Sequence, residues 1–248
     1  MLEDKRIIVT GSARGMGLAT LTAFVQAGAR VVGMDINDDA GEQAARDANA
    51  LGPGKASYLH IDIADKDSVE TAFQDAVNWL GGLDVLAHPA AIQAGSAASD
   101  VSVEHWDQMF AVNVRGTMIT NQAAYHHMKA AGGGSIINFG SISGQRAEPG
   151  AVAYSASKGA VHSWTRSAAG AWGMDRVRVN AILPAMATPM YQEAMALLTE
   201  QQATESFWMN HRSIALGQEY GDPLTDLGPV MVFFASDASK FITGQLIP

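Results

Sequence analysis

The sequence predicts a doubly wound α/β fold, a parallel sheet with helices on both faces, in a single domain spanning residues 1–248. Three observations predict it. Short apolar runs alternate with segments of helical periodicity along the whole chain. A glycine-rich turn directly follows the first apolar run. The 248 residues, 48% hydrophobic and 17% charged, suffice for one large core and need no second one.

The elements follow in order. IIVT (Ile7 to Thr10) reads as a strand, followed by the glycine turn and a helix whose Leu18, Leu21, Thr22 and Val25 fall at helical spacing before Gly28. ARVVGMD is the second strand, ending at Asp35, and a polar helix runs through Glu42, Ala45 and Asp47 to Leu51, stopped by Gly-Pro-Gly at 52–54. ASYLHID is the third strand. Asp65 is a candidate N-cap for a helix carrying Val69, Ala72, Phe73, Ala76, Val77 and Leu80 on one face. LDVLA (83–87) and SIINF (135–139) have the unbroken apolar character of strands covered on both faces, and a long helix between Ser102 and Ala131 separates them. A helix from about Ala151 to Trp172, the strand VRVNAIL, an insertion from Thr188 to Asp222, a last helix and a strand FITGQLI complete the pattern.

Composition narrows the function. A formal charge of -9 provides no basic stripe for nucleic acid or anionic lipid, so a small-molecule partner is expected. No cysteine is present, which removes disulfides and thiolate chemistry, and Met1 leads directly into LEDKR with no apolar signal region. A cytoplasmic setting is expected. No apolar run approaches the roughly 20 residues that a membrane span requires, and no metal-ligand set is read.

Thr10-Gly11-Ser12-Ala13-Arg14-Gly15-Met16-Gly17 sits between a strand and a helix, where dinucleotide folds bring a pyrophosphate to the helix N-terminus. Gly11 permits the tight turn, Gly15 admits close approach of phosphate, and Gly17 lets helix and sheet pack closely. The spacing is GxxxGxG. Asp35 ends the second strand where a carboxylate can accept both ribose hydroxyls of NAD and repel a 2′-phosphate. The expected cofactor is therefore NAD(H). Arg14 is either a solvated turn residue or a partner for such a phosphate. Asp62, after the third strand, either faces the adenine edge or serves the loop.

Tyr154 and Lys158 lie four apart on a predicted helix and project from one face. Free tyrosine titrates near 10, too high for a neutral-pH base, and a neighbouring ammonium together with an oxidised nicotinamide favours the phenolate. Ser141 lies 13 residues earlier, just beyond SIINF, where ligands bind in open α/β sheets; its hydroxyl can hold a carbonyl or alkoxide oxygen. Ser143 is the competing serine. Asn113, in VNVRG, is awkward in a helix interior and either serves a water relay to Lys158 through its side chain or local backbone or is a simple exposed helix residue.

TGSARGMG, Asp35, Asp62, Asn113, Ser141, YSASK, NAILPAMAT and SDASKFITGQ together resemble the short-chain dehydrogenase/reductase family over nearly the whole chain. The resemblance implies a Rossmann-type sheet of about seven parallel strands. It implies a tetrad of Asn113, Ser141, Tyr154 and Lys158, and cofactor contacts at Gly11, Arg14, Gly15, Met16, Gly17, Asp35, Asp62, Ile63, Ala90, Pro184, Ala187 and Thr188 besides Tyr154 and Lys158. It also implies a homotetramer built partly on the two long helices. The chain departs from the family where Asn-Asn-Ala-Gly becomes His88-Pro89-Ala90-Ala91 and Pro-Gly becomes Pro184-Ala185, and it stops at GQLIP before the usual Val-Asp-Gly-Gly. His88 is read as structural, since a tyrosine acid/base needs no second one.

The insertion gathers Met186, Met190, Tyr191, Met195, Leu197, Leu198, Phe207, Trp208 and Met209. They either form an apolar lid over a bulky alcohol or ketone, aromatic, cyclic or steroid-like, or are the core stripe of two helices. Gln93, Ser143 and Gln145 are candidate polar substrate contacts beside Ser141, Tyr154, Met186, Tyr191 and Trp208. Two other functions are weighed. An NADPH-dependent 3-oxoacyl carrier reductase is opposed by Asp35 and by the acidic surface. A non-catalytic NAD(H)-sensing protein has no use for the tetrad.

Overall fold

In the computed structural model, seven parallel strands form one sheet in the order β3-β2-β1-β4-β5-β6-β7, and the reversal between β1 and β4 opens the crevice where doubly wound folds bind ligands. The structure describes residues 1–212 and 214–248, without the side chains of residues 190, 194, 209 and 210, so the readings of Met190 and Met209 lie outside the described residues. The strands are β1 (Arg6–Thr10), β2 (Arg30–Asp35), β3 (Lys55–His60), β4 (Val85–His88), β5 (Gly134–Phe139), β6 (Val177–Ile182) and β7 (Leu246–Ile247). The helices are α1 (Gly15–Gln26), α2 (Asp38–Leu51), α3 (Lys66–Leu80), α4 (Val103–Phe110), α5 (Gly116–Ala131), α6 (Val152–Trp172), α7 (Pro189–Ala196), α8 (Glu200–His211) and α9 (Gly228–Ala235).

Strand alternation divides the core in two. Ile7, Val9, Val31, Val85 and Ile137 point to one face, where Leu21, Phe24 and Val25 of α1 and Met231 and Phe234 of α9 meet them. Ile8, Val32, Leu86 and Ile136 point to the other, against Val69 and Phe73 of α3, Ala124 and Met128 of α5 and Ala168 of α6. Asp65 caps α3 as expected, its carboxylate accepting from the Asp67 and Ser68 amides.

Three element readings need correction. The long helix is not uniform: α4 and α5 join through a π-helical stretch, Ala111–Arg115, that contains Asn113. FITGQLI pairs as a strand only at Leu246–Ile247; before that, the backbone bonds from Gly244 N to Val179 O and from Ala181 N to Gln245 O are interleaved with side-chain ones, Thr243 Oγ1 taking the Val179 amide and Asn180 Oδ1 the Gln245 amide. ASYLHID stops pairing at His60, with Asp62 already in the following turn.

Candidate active site

The turn after β1 is shaped by what its glycines exclude. Gly11 and Gly15 have positive φ, 62° and 56°, and a Cβ at Gly11 would lie 2.7 Å from Ala90 Cα. Gly17 faces the Gly11 carbonyl, where a Cβ would collide. Gly15 instead opens outward, its nearest potential neighbour being Pro189 Cδ at 4.0 Å. Arg14 precedes α1 without capping it, and the first turn carries no acidic residue. The unpaired amides and the positive end of the helix dipole therefore face the cavity.

That cavity has a volume of about 380 Å³, and its walls include Gly11, Arg14, Gly15, Met16, Gly17, Asp35, Asp62, Ile63, Ala90, Gln93, Tyr154, Lys158 and Thr188. Most of the expected cofactor residues thus gather along one crevice, while Ser141 and Ser143 lie outside its walls. Pro89 and Ala91, of the departing His88-Pro89-Ala90-Ala91 run, also line it, as do Ile36, Ile92, Val112, Phe139, Gly140 and Pro189, which were not anticipated; scattered apolar residues carry no motif of their own. Asp35 is held by amides of the turn: Oδ2 accepts from Ala13 at 3.0 Å and Oδ1 from Asn37 at 3.1 Å. Asp62 Oδ1 accepts from Ala64 at 2.9 Å, shaping its loop while the residue still lines the cavity. Arg14 approaches Glu193 of α7 at 3.9 Å, both side chains exposed. The open backbone at Gly15, the uncapped helix and the carboxylate at the end of β2 fit a dinucleotide.

Tyr154 and Lys158 stand one turn apart at the start of α6. Lys158 is 4% exposed and donates from Nζ to the Phe139 carbonyl at 2.8 Å; burial lowers its pKa to about 8. Its Nζ sits 5.6 Å from the centre of the Tyr154 ring. The Tyr154 hydroxyl is raised, because burial outweighs the opposing influence of the Ser141 hydroxyl, and Glu148 pushes it further up. Without a bound oxidised nicotinamide the phenol is therefore the stable form.

Ser141 follows β5, its Oγ accepting from the Ser143 amide at 3.2 Å. Ser143 turns its own hydroxyl to Glu148 Oε2 at 3.3 Å. Asn113 is 1% exposed rather than solvated. Its Oδ1 accepts from Ile92 N and its Nδ2 donates to Ile92 O, both at 2.9 Å, and Nδ2 also reaches Ser157 Oγ at 3.1 Å. The side chain clamps the loop after β4 to α6. A relay would use its backbone carbonyl, which already accepts the Thr117 hydroxyl at 2.7 Å.

His88 is buried, with Nδ1 2.7 Å from Thr10 Oγ1. Burial and the Lys158 charge bring its pKa down to about 3, so it is neutral and structural.

Several expected contacts lie elsewhere. Pro184 and Ala187 are not cavity walls; the Ala187 amide donates to the Gly221 carbonyl at 2.9 Å, closing the base of the insertion. Met186 packs against the core beside Gly221. Tyr191 hydrogen-bonds His211 Nε2 at 3.2 Å and meets Tyr220 edge-on, while Trp208 stands against Phe207 and is 44% exposed. The aromatic groups of the insertion thus pack on one another rather than on the cavity. Gln145 is exposed outside the cavity walls. Among the described residues no helix is long and apolar enough to cross a membrane.

The model of a family described as enoyl-(acyl carrier protein) reductase matches residues 11–248. A probable galactose dehydrogenase of Rhizobium meliloti is 35% identical, covering 98% of this chain and 93% of that one. A cyclopentanol dehydrogenase of Comamonas is 34% identical over 98% of this chain and 94% of its own. The solved structure of a short-chain dehydrogenase/reductase from Mycobacterium ulcerans superposes with a TM-score of 0.90 at 29% identity, covering 99% of this chain and 88% of that one.

Proposed function

Because this chain belongs to the short-chain dehydrogenase/reductase family, we propose that it transfers hydride reversibly between NAD(H) and a cyclic secondary alcohol or ketone. The chain is an oxidoreductase of a group that acts on alcohols and ketones with a nicotinamide cofactor. One observation carries the finer reading. Tyr154 and Lys158 line the crevice that starts at Gly11 and Gly15, and the Ser141 hydroxyl stands beside Tyr154.

Bound nicotinamide supplies or accepts the hydride. Gly11, Gly15 and Gly17 would hold the pyrophosphate side, Asp35 the ribose, and Lys158 with Thr188 the nicotinamide side. In the reducing direction the substrate oxygen sits between Ser141 Oγ and Tyr154 Oη. Tyr154 gives its proton to that oxygen as hydride reaches the carbonyl carbon, and oxidation runs the same path backwards. Lys158, its pKa lowered by burial to about 8, stabilises the phenolate and returns a proton to it. The Asn113 carbonyl is the proposed entry of that proton from water.

Asp35 favours NAD, since its carboxylate would face a 2′-phosphate at close range. Ring-borne hydroxyls in the names of the two dehydrogenase relatives, galactose and cyclopentanol, support a cyclic secondary alcohol. A homotetramer resting partly on the long helices α5 and α6 is part of the proposal. Initial rates with NAD and NADP across small, aromatic, cyclic and steroidal secondary alcohols test it. Turnover with NAD on the cyclic members is expected; turnover with NADP alone would reject the Asp35 assignment.

A further inference from the structure

The backbone amide of Ser141 donates to Nε2 of His162 across 3.2 Å. His162 stands one turn beyond Lys158 and two beyond Tyr154 on α6, so the three side chains share a helix face. It is 3% exposed. Two glycines make room for its ring: a Cβ on Gly140 would collide with Nε2, and one on Gly144 would come within 2.8 Å of Cε1. Each residue at the end of β5 is thereby tied. The Phe139 carbonyl accepts from Lys158, the Gly140 amide donates to the Ile182 carbonyl at 2.9 Å, and the Ser141 amide donates to His162.

An N–H can be accepted only by a ring nitrogen that carries no proton. Burial, with Arg166 and Lys158 nearby, holds His162 below the ordinary imidazole range and keeps that lone pair available. An aliphatic side chain at this position would leave the Ser141 amide without its partner and free the serine to turn.

We propose that His162 is a positioning residue: by accepting the Ser141 amide it fixes the Ser141 hydroxyl against Tyr154. The inference rests on the role of Ser141 proposed above.

Steady-state kinetics of His162→Leu, His162→Gln and Ser141→Ala, with the His162→Leu/Ser141→Ala double variant, test it. His162→Leu should lower kcat by about ten- to a hundredfold, the scale of a small misplacement of a reacting group, with the KM for cofactor changed less than about twofold. His162→Gln, whose Oε1 can replace Nε2 as acceptor, should recover most of that loss. In the Ser141→Ala background His162→Leu should add little, because the two residues act as one unit.

An unchanged kcat in His162→Leu, or the same loss with Ser141 already removed, would overturn the inference while leaving the role of Ser141 intact. Unchanged turnover in Ser141→Ala would instead remove that role, and the inference with it. Should His162→Leu fail to fold, His162→Asn against His162→Gln decides. Asn falls one bond short of the amide and should lose kcat, whereas equal activity in the two would contradict the proposal.

Discussion

Lys158 Nζ lies 2.8 Å from the carbonyl oxygen of Phe139, the last residue of β5, and so binds the helix carrying Tyr154 to the strand end that precedes Ser141. The contact places a cationic group where only 4% of the residue reaches solvent. Its folded pKa, about 8, lies below the ordinary 10.5. Between these values the folded state binds fewer protons than the unfolded chain, so stability rises with pH through that window; below it the buried ammonium costs the fold.

Lys158→Met should accordingly stabilise the protein at pH 7 by about 2 kcal/mol. That is the roughly 3 kcal/mol of the depressed pKa less about 1 kcal/mol for the lost hydrogen bond. The gain should disappear near pH 10, and turnover should be lost throughout. Urea midpoints at the two pH values check it; a gain independent of pH would contradict the buried-charge account.

Asp35→Asn removes the charge while keeping an oxygen for the Ala13 or Asn37 amide. The ratio of kcat/KM for NADP to that for NAD should rise by about ten- to a hundredfold, the scale of one close like-charge contact at a protein surface. Parallel kinetics with both cofactors measure it, and an unchanged ratio would place the discriminating group elsewhere, Arg14 first.

The two positive-φ glycines of the turn should part company when replaced by alanine. Gly11→Ala forces a Cβ to within 2.7 Å of Ala90 Cα and should destabilise the fold by about 3 kcal/mol or more. Gly15→Ala meets no protein atom closer than 4.0 Å, so about 1–2 kcal/mol of backbone strain is its main structural cost. NADH affinity should nevertheless fall at least tenfold, because the new methyl faces the cofactor crevice. Thermal melts and NADH fluorescence titrations separate the two effects.

The parts of the fold legible in the sequence are those whose signal is local. Alternating runs located every strand, and the glycine turn marked the crevice, because a backbone that must bend with positive φ leaves glycine as its trace. The tetrad spacing was equally local for Tyr154 and Lys158. Long-range packing was not legible. Thr243 and Asn180 interleave side-chain hydrogen bonds with the backbone ones beside β7, which the apolar pattern of FITGQLI conceals. Asn113 read as an odd helix residue, and its clamp on Ile92 and Ser157 emerges only once the π-helical stretch brings three elements together. His162 carried no motif, since its significance lies in the Ser141 amide opposite it. The apolar insertion allowed both a lid and a packed stripe; the ring contacts among Tyr191, Phe207, His211 and Tyr220 show why composition alone could not choose.

Proton movement at the Tyr154 hydroxyl is proposed to accompany hydride transfer. Turnover and NADH binding measured together in Tyr154→Phe test it most directly, since the substitution deletes one oxygen and keeps the ring. A loss of kcat of at least about a thousandfold is expected, with NADH affinity within about twofold of the unaltered protein; turnover retained within about tenfold would remove Tyr154 from the proton transfer.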